Sequence, residues 1–195
     1  MKDNQLNTIR DTFVFALLIG IGVAGRWAQP EWCFTPTAAV ALFAGFYFTR
    51  IAVAALVPLA VLAISDLLLP AYDSVAVMIA TYVVMAVPVL LGRLLRGRHA
   101  GWSTAWRWTV CGLLPATLFF VVSNFAVWAF QSDYPKTPGG LVECYVAAVP
   151  FFRWMIAGDV TYVAAIFGCW ALAGMNLPGE VRAEERVEPL PADRL

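Results

Sequence analysis

The sequence has few charged residues and almost no histidine, and these shortages exclude several classes of function. Only 13% of the 195 residues are charged, and His99 is the single histidine. Neither Gly-x-Ser-x-Gly nor Gly-x-x-x-x-Gly-Lys occurs, so the chain lacks the nucleophile elbow and the phosphate loop that these motifs form. One histidine cannot build a histidine-rich metal site, and a net charge of zero argues against a nucleic-acid partner. We therefore expect no metal, no cofactor and no nucleic acid.

Apolar residues are in excess instead, and they indicate an integral membrane protein. Hydrophobic residues make up 61% of the chain, and the mean hydropathy is +0.74. A soluble domain has about 45–50% apolar and about 25% charged residues. The first apolar run resembles a signal peptide, but five more apolar segments follow, so we interpret it as a retained span. We predict an all-α bundle of six transmembrane helices, at about residues 11–28, 37–49, 51–69, 74–95, 109–130 and 151–173.

A cluster of basic residues predicts the orientation of this bundle. It surrounds the short loop after the fourth predicted helix and comprises Arg93, Arg96, Arg98, His99 and Arg107. Short positive loops stay in the cytoplasm, which places both termini there in a multi-pass inner-membrane protein. The loops after helices one, three and five then lie outside, with residues 140–149 as a short extra helix ended by Pro150. Residues 1–175 form the membrane domain, and residues 176–195 are predicted to be a disordered cytoplasmic tail.

Polar side chains on the last two predicted helices are the main candidates for a binding site. A charged group near the centre of a membrane helix costs about 2.5–3.5 kcal/mol, so such groups are functional candidates. Phe120, Asn124 and Trp128 recur every four residues and share a helix face, which suits a small polar-aromatic ligand. Alternatively, Asn124 bonds a neighbouring helix.

The sixth predicted helix carries Phe152, Arg153 and Asp159. Phe152 and Asp159 share a face, whereas Arg153 lies about a third of a turn away, so the two charged groups do not pair with each other. Asp159 either binds a ligand or forms a structural pair with Arg26 or Asn124. Arg153 either snorkels to the surface or binds an anionic group.

Three further features leave alternatives open. Asp66, near the end of the third predicted helix, either caps it or faces water; with Asp159 it would form an aspartyl protease dyad only within hydrogen-bonding reach. Ala16, Gly20 and Ala24 form a small-residue face on the first helix, for packing inside the bundle or for docking a partner. Cys33 and Cys144 are both predicted on the outer side, where they either form a disulfide or remain separate. Cys111 and Cys169 are expected to be small core residues.

Several motifs resemble those of an uncharacterised family of bacterial six-helix membrane proteins. They are Phe34-Thr35-Pro36, Val57-Pro58-Leu59, Asn124-Phe125-Ala126, Tyr134-Pro135-Lys136 and Gly158-Asp159. That family is similar to the S-components of energy-coupling-factor transporters, which capture vitamins and related micronutrients. In that family an asparagine often occupies the position of Cys33.

The resemblance implies a membrane subunit that binds a small molecule on its outer side, under the loops after helices one, three and five. It also implies that Ala16, Gly20 and Ala24 dock onto a transmembrane coupling subunit, which two ATPases drive. The expected ligand-binding residues are Asp66, Phe120, Asn124, Trp128, Phe152, Arg153 and Asp159. The alternatives are a membrane scaffold that does not transport and, as a third reading, an intramembrane aspartyl enzyme.

Overall fold

A computed structural model describes residues 2–96 and 102–174, and all regular structure in these ranges is helical. The helices are α1 Lys2–Trp27, α2 Thr37–Tyr47, α3 Ile51–Ser65, α4 Val75–Val84, α5 Val87–Leu94, α6 Trp102–Phe130 and α7 Pro138–Leu172. Four helical stretches are long and apolar enough to cross a membrane, at Gln5–Trp27, Val75–Leu94, Thr109–Phe130 and Pro138–Leu172. The expected all-α class with membrane-type helices is confirmed, whereas α2 and α3 are shorter than the about 20 residues that a span requires.

The short helix α2 lies at the centre of the molecule. Every residue from Thr37 to Tyr47 is buried, and α2 contacts α1, α3, α5, α6 and α7. A helix that is apolar on all sides is stable only when neighbours cover all of it. The aromatic rings of Phe43 and Phe46 pack edge-on against Phe167 of α7, at centroid distances of 5.1 and 5.2 Å. The other helices are therefore arranged around α2.

Two glycines let α5 approach α2 closely. A Cβ atom at Gly45 would overlap the backbone of Val89, and one at Gly92 would overlap the backbone of Leu42. The backbones of α2 and α5 are in contact at Gly45 and at Gly92, and any residue with a Cβ atom would keep them further apart. Small residues at a helix interface serve the same purpose in membrane bundles.

The structure corrects two predicted helix boundaries. The fourth predicted helix is interrupted at residues 85–86, between α4 and α5. Pro88 lacks an N–H group and its ring would clash with the carbonyl four residues earlier, which explains the interruption. The separate helix predicted at residues 140–149 is wrong, because α7 continues through Pro150. Thr137 caps α7 by accepting a hydrogen bond from the N–H of Gly140 at 3.2 Å, and Pro138 occupies the first turn.

The small-residue face of α1 does not pack inside the bundle. Ala16, Gly20 and Ala24 are all exposed, and a Cβ atom at Gly20 would meet nothing within 4 Å. The buried stripe of α1 instead includes Leu18 and Gly22, and Gly22 packs against Val61 of α3. Internal packing was therefore the wrong reading of the exposed face.

Arginine side chains close the C-terminal end of α2. Arg96 donates a hydrogen bond to the carbonyl oxygen of Phe48 at 2.9 Å, and Arg93 donates one to Thr49 at 3.4 Å. Cations stabilise the partial negative charge at a helix C-terminus. The hydroxyl of Tyr47 donates a hydrogen bond to Asp11 of α1 at 2.9 Å, which connects the C-terminal end of α2 to α1. Arg98, His99 and the predicted tail at residues 176–195 lie outside the described residues, as do the side-chain contacts of Arg107.

Candidate functional site

A cavity of about 380 Å³ lies at the N-terminal end of α2, opposite the arginines. Its walls are the ends of α1 and α3, the body of α4, the middle of α6 and α7, and the loops after α1 and α3. Gln131, just after α6, also reaches it, so the three loops that we predicted on one side do meet here. The lining includes Arg26, Trp32, Cys33, Thr35, Thr37, Asp66, Tyr72, Thr81, Met85, Ala116, Phe119, Met155 and Asp159.

An ion pair with an additional phenol forms one wall of the cavity. The guanidinium of Arg26 donates a hydrogen bond from Nη2 to Oδ1 of Asp66 at 2.9 Å, and the hydroxyl of Tyr82 donates to Oδ2 of Asp66 at 2.9 Å. The Arg26 and Asp66 side chains are 16% and 19% exposed. Trp27 donates its indole N–H to the carbonyl of Ser65 at 3.1 Å, which fastens the end of α1 to the end of α3. Asp66 is therefore the C-cap residue of α3, as one prediction had it, and its carboxylate is paired with Arg26 and Tyr82.

Tyr72 lies beside this ion pair, in the loop between α3 and α4. Burial raises the pKa of its hydroxyl, and the neighbouring Asp66 carboxylate raises the pKa further. The hydroxyl therefore stays protonated at neutral pH, with Arg26 and Thr81 next to it. It adds a neutral polar group to the charged wall.

Asp159 forms another part of the cavity wall, and one of its carboxyl oxygens is unpaired among the described residues. Its side chain belongs to α7, the residue is 6% exposed, and its Oδ2 atom has no hydrogen-bond partner among the described residues. The backbone amide of Ala116 interacts with the carboxyl group from α6. The two structural pairs that we considered are both wrong, because Arg26 is paired with Asp66 and Asn124 bonds within its own helix.

A conformationally strained cysteine forms part of the cavity mouth. Cys33 has a φ of 73°, a left-handed conformation that few residues other than glycine and asparagine adopt readily. Its backbone N–H donates to Oε1 of Gln29 at 3.2 Å. Burial raises the pKa of the Cys33 thiol to about 11, which keeps it protonated at neutral pH. Thr35 and Thr37 follow, with their hydroxyl oxygens 3.3 Å apart, at the start of α2.

Three of the predicted site residues lie in the seam between α6 and α7 and do not line the cavity. The ring of Phe120 packs against that of Phe152 at 4.6 Å and against that of Tyr145 at 5.5 Å. The side chain of Asn124 donates to the carbonyl of Phe120 at 2.7 Å, one turn earlier in α6. The shared face of the predicted fifth helix is therefore a helix-packing surface.

Two further predicted site residues lie outside the cavity. The indole of Trp128 donates to the carbonyl of Pro135 at 2.9 Å, and the ammonium of Lys136 contacts the carbonyls of Trp128 and Gln131. These contacts close the C-terminal end of α6. Arg153 is exposed and its guanidinium stacks 5.2 Å from the ring of Trp154. The structure thus brings Asp66 and Asp159 to one cavity, without Asn124 or Arg153.

Neither the disulfide between Cys33 and Cys144 nor the carboxyl dyad of Asp66 and Asp159 is formed. None of the four cysteines forms a disulfide, and the thiol of Cys144 contacts the carbonyl of Asn124 at 3.4 Å. Cys111 is buried as predicted, whereas Cys169 is exposed, so its assignment to the core was wrong. Both Asp66 oxygens accept hydrogen bonds from other residues, and Oδ2 of Asp159 has no partner in the described part of the chain. The two carboxyl groups therefore do not share a proton as a dyad would.

The prediction missed several cavity residues, and most of them carry little signal in the sequence. Trp32 and Tyr72 are loop aromatics, which are common at membrane interfaces. Thr81 and Met85 lie within an apolar segment, and their role depends on the break after α4. Arg26 carried a usable signal, because it is a charged residue in the last turn of α1 that directly follows an apolar run.

Comparisons with known protein families identify one match. The model of a family of unknown function, DUF6580, matches residues 6–180, which include all of the cavity residues. Neither a curated protein nor a solved structure matches the chain. The match shows a family of unknown function, and the resemblance to S-components stays a prediction, so the function has to be argued from the cavity.

Proposed function

We propose that this chain, which belongs to the DUF6580 family, is a membrane-embedded subunit that binds a small, vitamin-like molecule for uptake. The observation that carries the proposal is the half-open cavity of about 380 Å³ between α2, α3, α4, α6 and α7. Small-molecule sites are typically clefts of about 300–1,000 Å³ with a few polar groups in an apolar lining. This cavity combines Asp159 and the Arg26–Asp66 pair with aromatic walls.

The distribution of charge supports a cavity that opens to the outside of the cell. Arg93 and Arg96 close the opposite end of α2, and positive residues mark the cytoplasmic side of inner-membrane proteins. Under this orientation the three loops at the cavity mouth are external and both termini are cytoplasmic. The full proposal has six crossing segments, in which the buried α2 and the short α3 cross inside the bundle.

The exposed small-residue face of α1 supports a partner in the membrane. Ala16, Gly20 and Ala24 leave the surface of α1 flat, and a second helix can approach such a surface closely. We assign this face to a transmembrane coupling subunit, with ATP hydrolysed by partner ATPases, as in S-components of energy-coupling-factor transporters. The same face also favours the second candidate, a membrane scaffold that docks a partner helix without binding any small molecule. We assign no catalytic residue to the chain itself.

A thermal-shift screen of the purified chain in detergent separates these two candidates. Vitamins and related micronutrients are added singly, and the melting temperature is measured for the wild type. A ligand that raises it should have no effect on Asp159→Leu, whose cavity lacks the carboxyl group. Arg153→Ala is the matched control, because Arg153 lies outside the cavity, and it should respond like the wild type. Stabilisation by no compound, or equal stabilisation of both variants, would contradict binding in this cavity and favour the scaffold.

A further inference from the structure

The unpaired carboxyl group of Asp159 narrows the chemistry of the ligand. Asp159 lines the cavity and is only 6% exposed, and its Oδ2 atom has no hydrogen-bond partner among the described residues. Buried polar atoms in native proteins are almost always paired, and exceptions point to a function or to a missing partner. A ligand that donates a hydrogen bond to the carboxyl group of Asp159 would supply a partner.

The backbone around Asp159 holds the carboxyl group in place. A Cβ atom at Gly158 would lie 3.2 Å from the backbone nitrogen of Thr35, so α7 is in close contact with the segment that leads into α2. The next turn of α7 also packs there, since the rings of Phe34 and Tyr162 are 5.5 Å apart. The backbone that carries Asp159 is therefore held against the segment that leads into α2.

The charges in the lining favour a cation. Among the described residues, the cavity is lined by three acidic side chains, Asp66, Asp73 and Asp159, and by one basic side chain, Arg26. The Arg26 guanidinium is already bonded to Asp66 at 2.9 Å. An anionic ligand would therefore meet carboxyl groups without an unpaired basic side chain, whereas a cation would meet the unpaired Asp159. In a site with limited access to water, this difference is large.

The rest of the lining suits a flat ring and a hydrogen-bond acceptor. Trp32, Tyr72 and Phe119 supply aromatic surface, which attracts cations as well as apolar rings. The N-terminus of α2 also faces the cavity through Thr37 and Ala38, and no side chain caps it. The N–H groups of an uncapped first turn can donate to a carbonyl or hydroxyl oxygen of the ligand.

We infer that the ligand is a small aromatic or heteroaromatic organic cation, with a protonated nitrogen whose N–H group donates to the carboxyl group of Asp159. This inference rests on the proposed function and specifies the substrate class of the same cavity. The Arg26–Asp66 pair then acts as a neutral polar wall, and Asp159 provides the charge that selects the ligand.

Matched series of probes test this inference on the full chain in detergent. Each series has the methylamine, the methanol and the carboxylic acid of one ring, taken from benzene, pyridine and pyrimidine. Binding is followed by the fluorescence of the tryptophans, because Trp32 lines the cavity, and by the melting temperature. For at least one ring, we expect the amine to bind at least tenfold more tightly than the alcohol and the acid.

Two variants identify the residue responsible. Asp159→Asn should weaken binding of the amine at least tenfold and remove the preference over the alcohol. Asp133→Asn is the control, because Asp133 lies in the loop after α6 and does not line this cavity. It should change neither the affinity for the amine nor the preference for the amine over the alcohol. The ranking of the three probes on the wild type is informative even if a variant does not fold.

Failure of the inference and failure of the proposed function give different results. Tighter binding of acids or alcohols than of amines, or amine binding that Asp159→Asn does not weaken, would overturn the cation inference while the cavity remained a binding site. If neither these probes nor the vitamins of the first screen bound at all, both the inference and the proposed function would be overturned.

Discussion

Replacing Asp159 by leucine should make the empty protein more stable, although it removes the binding group. Oδ2 of Asp159 is buried, and no residue that the structure describes gives it a hydrogen bond. Removing an unsatisfied buried polar group is worth about 1–3 kcal/mol, and losing the contact with the amide of Ala116 offsets about 0.5–1.5 kcal/mol of that. The net gain is about 1 kcal/mol, or about 2–4 °C in melting temperature for a chain of this size.

Replacing Asp66 by leucine should instead make the protein less stable. Asp66→Leu leaves the guanidinium of Arg26 and the hydroxyl of Tyr82 without their acceptor. Breaking a buried ion pair costs about 3–5 kcal/mol, and the partial exposure of this pair reduces the cost to about 2–3 kcal/mol. The melting temperature should fall by about 6–9 °C.

Differential scanning fluorimetry of both variants in one detergent measures the two effects. Each variant is compared with the wild type without added ligand, after gel filtration has shown a single species. A fall in melting temperature for Asp159→Leu as large as that for Asp66→Leu would refute the reasoning, because it would mean that Asp159 has a stabilising partner in the folded protein.

Three further predictions concern other parts of the chain. Gly45→Ala should lower the stability by about 1–3 kcal/mol, because its Cβ atom would overlap the backbone of the facing helix. Gly20→Ala should leave the stability unchanged or raise it by up to about 1 kcal/mol. Equal melting temperatures of the two variants would contradict this packing. Cys33→Asn should raise the melting temperature by about 1–3 °C, since asparagine adopts a positive φ more readily, and a fall would show that the thiol makes a stabilising contact. Maleimide labelling of Cys33 can be followed once the other three cysteines are replaced by serine. Because burial raises the pKa of the Cys33 thiol to about 11, its labelling should be about 100-fold slower at pH 8 than that of a free thiol, and should accelerate up to about pH 11. A labelling rate equal to that of the free thiol would contradict the burial.

Composition and hydropathy were sufficient to predict the class of the fold. The excess of apolar residues and the low charge predicted membrane-type helices, and four stretches have the length and composition to cross a membrane. The boundaries near prolines were harder to predict. Pro150 is accommodated inside α7, whereas the helix before Pro88 is interrupted, and the local sequence does not distinguish the two cases. The neighbouring helices that decide them are distant in sequence.

The cavity was only partly predictable, because pairing between distant residues decides which polar groups face it. Asp66 and Asp159 were singled out as carboxyl groups in apolar surroundings, and both line the cavity. Asn124 was chosen by the same rule, yet its amide bonds the carbonyl one turn earlier and needs no other partner. The partnership of Arg26 with Asp66 spans 40 residues and has no local signature. Helical periodicity identifies a shared face but not the element that the face contacts.

The shortness of α2 connects the fold to the site. Its 11 residues rise roughly 16 Å, at 1.5 Å per residue, which is about half of the hydrocarbon thickness of a bilayer. The central helix therefore begins well inside the bundle, and the space beyond its N-terminus is walled by longer helices and covered by loops. Extending α2 by one turn at this end would move the Thr35 and Thr37 region into the cavity and reduce its volume. The residue at which α2 begins, directly after Pro36, thus sets the depth of the cavity in which Asp159 can meet a ligand.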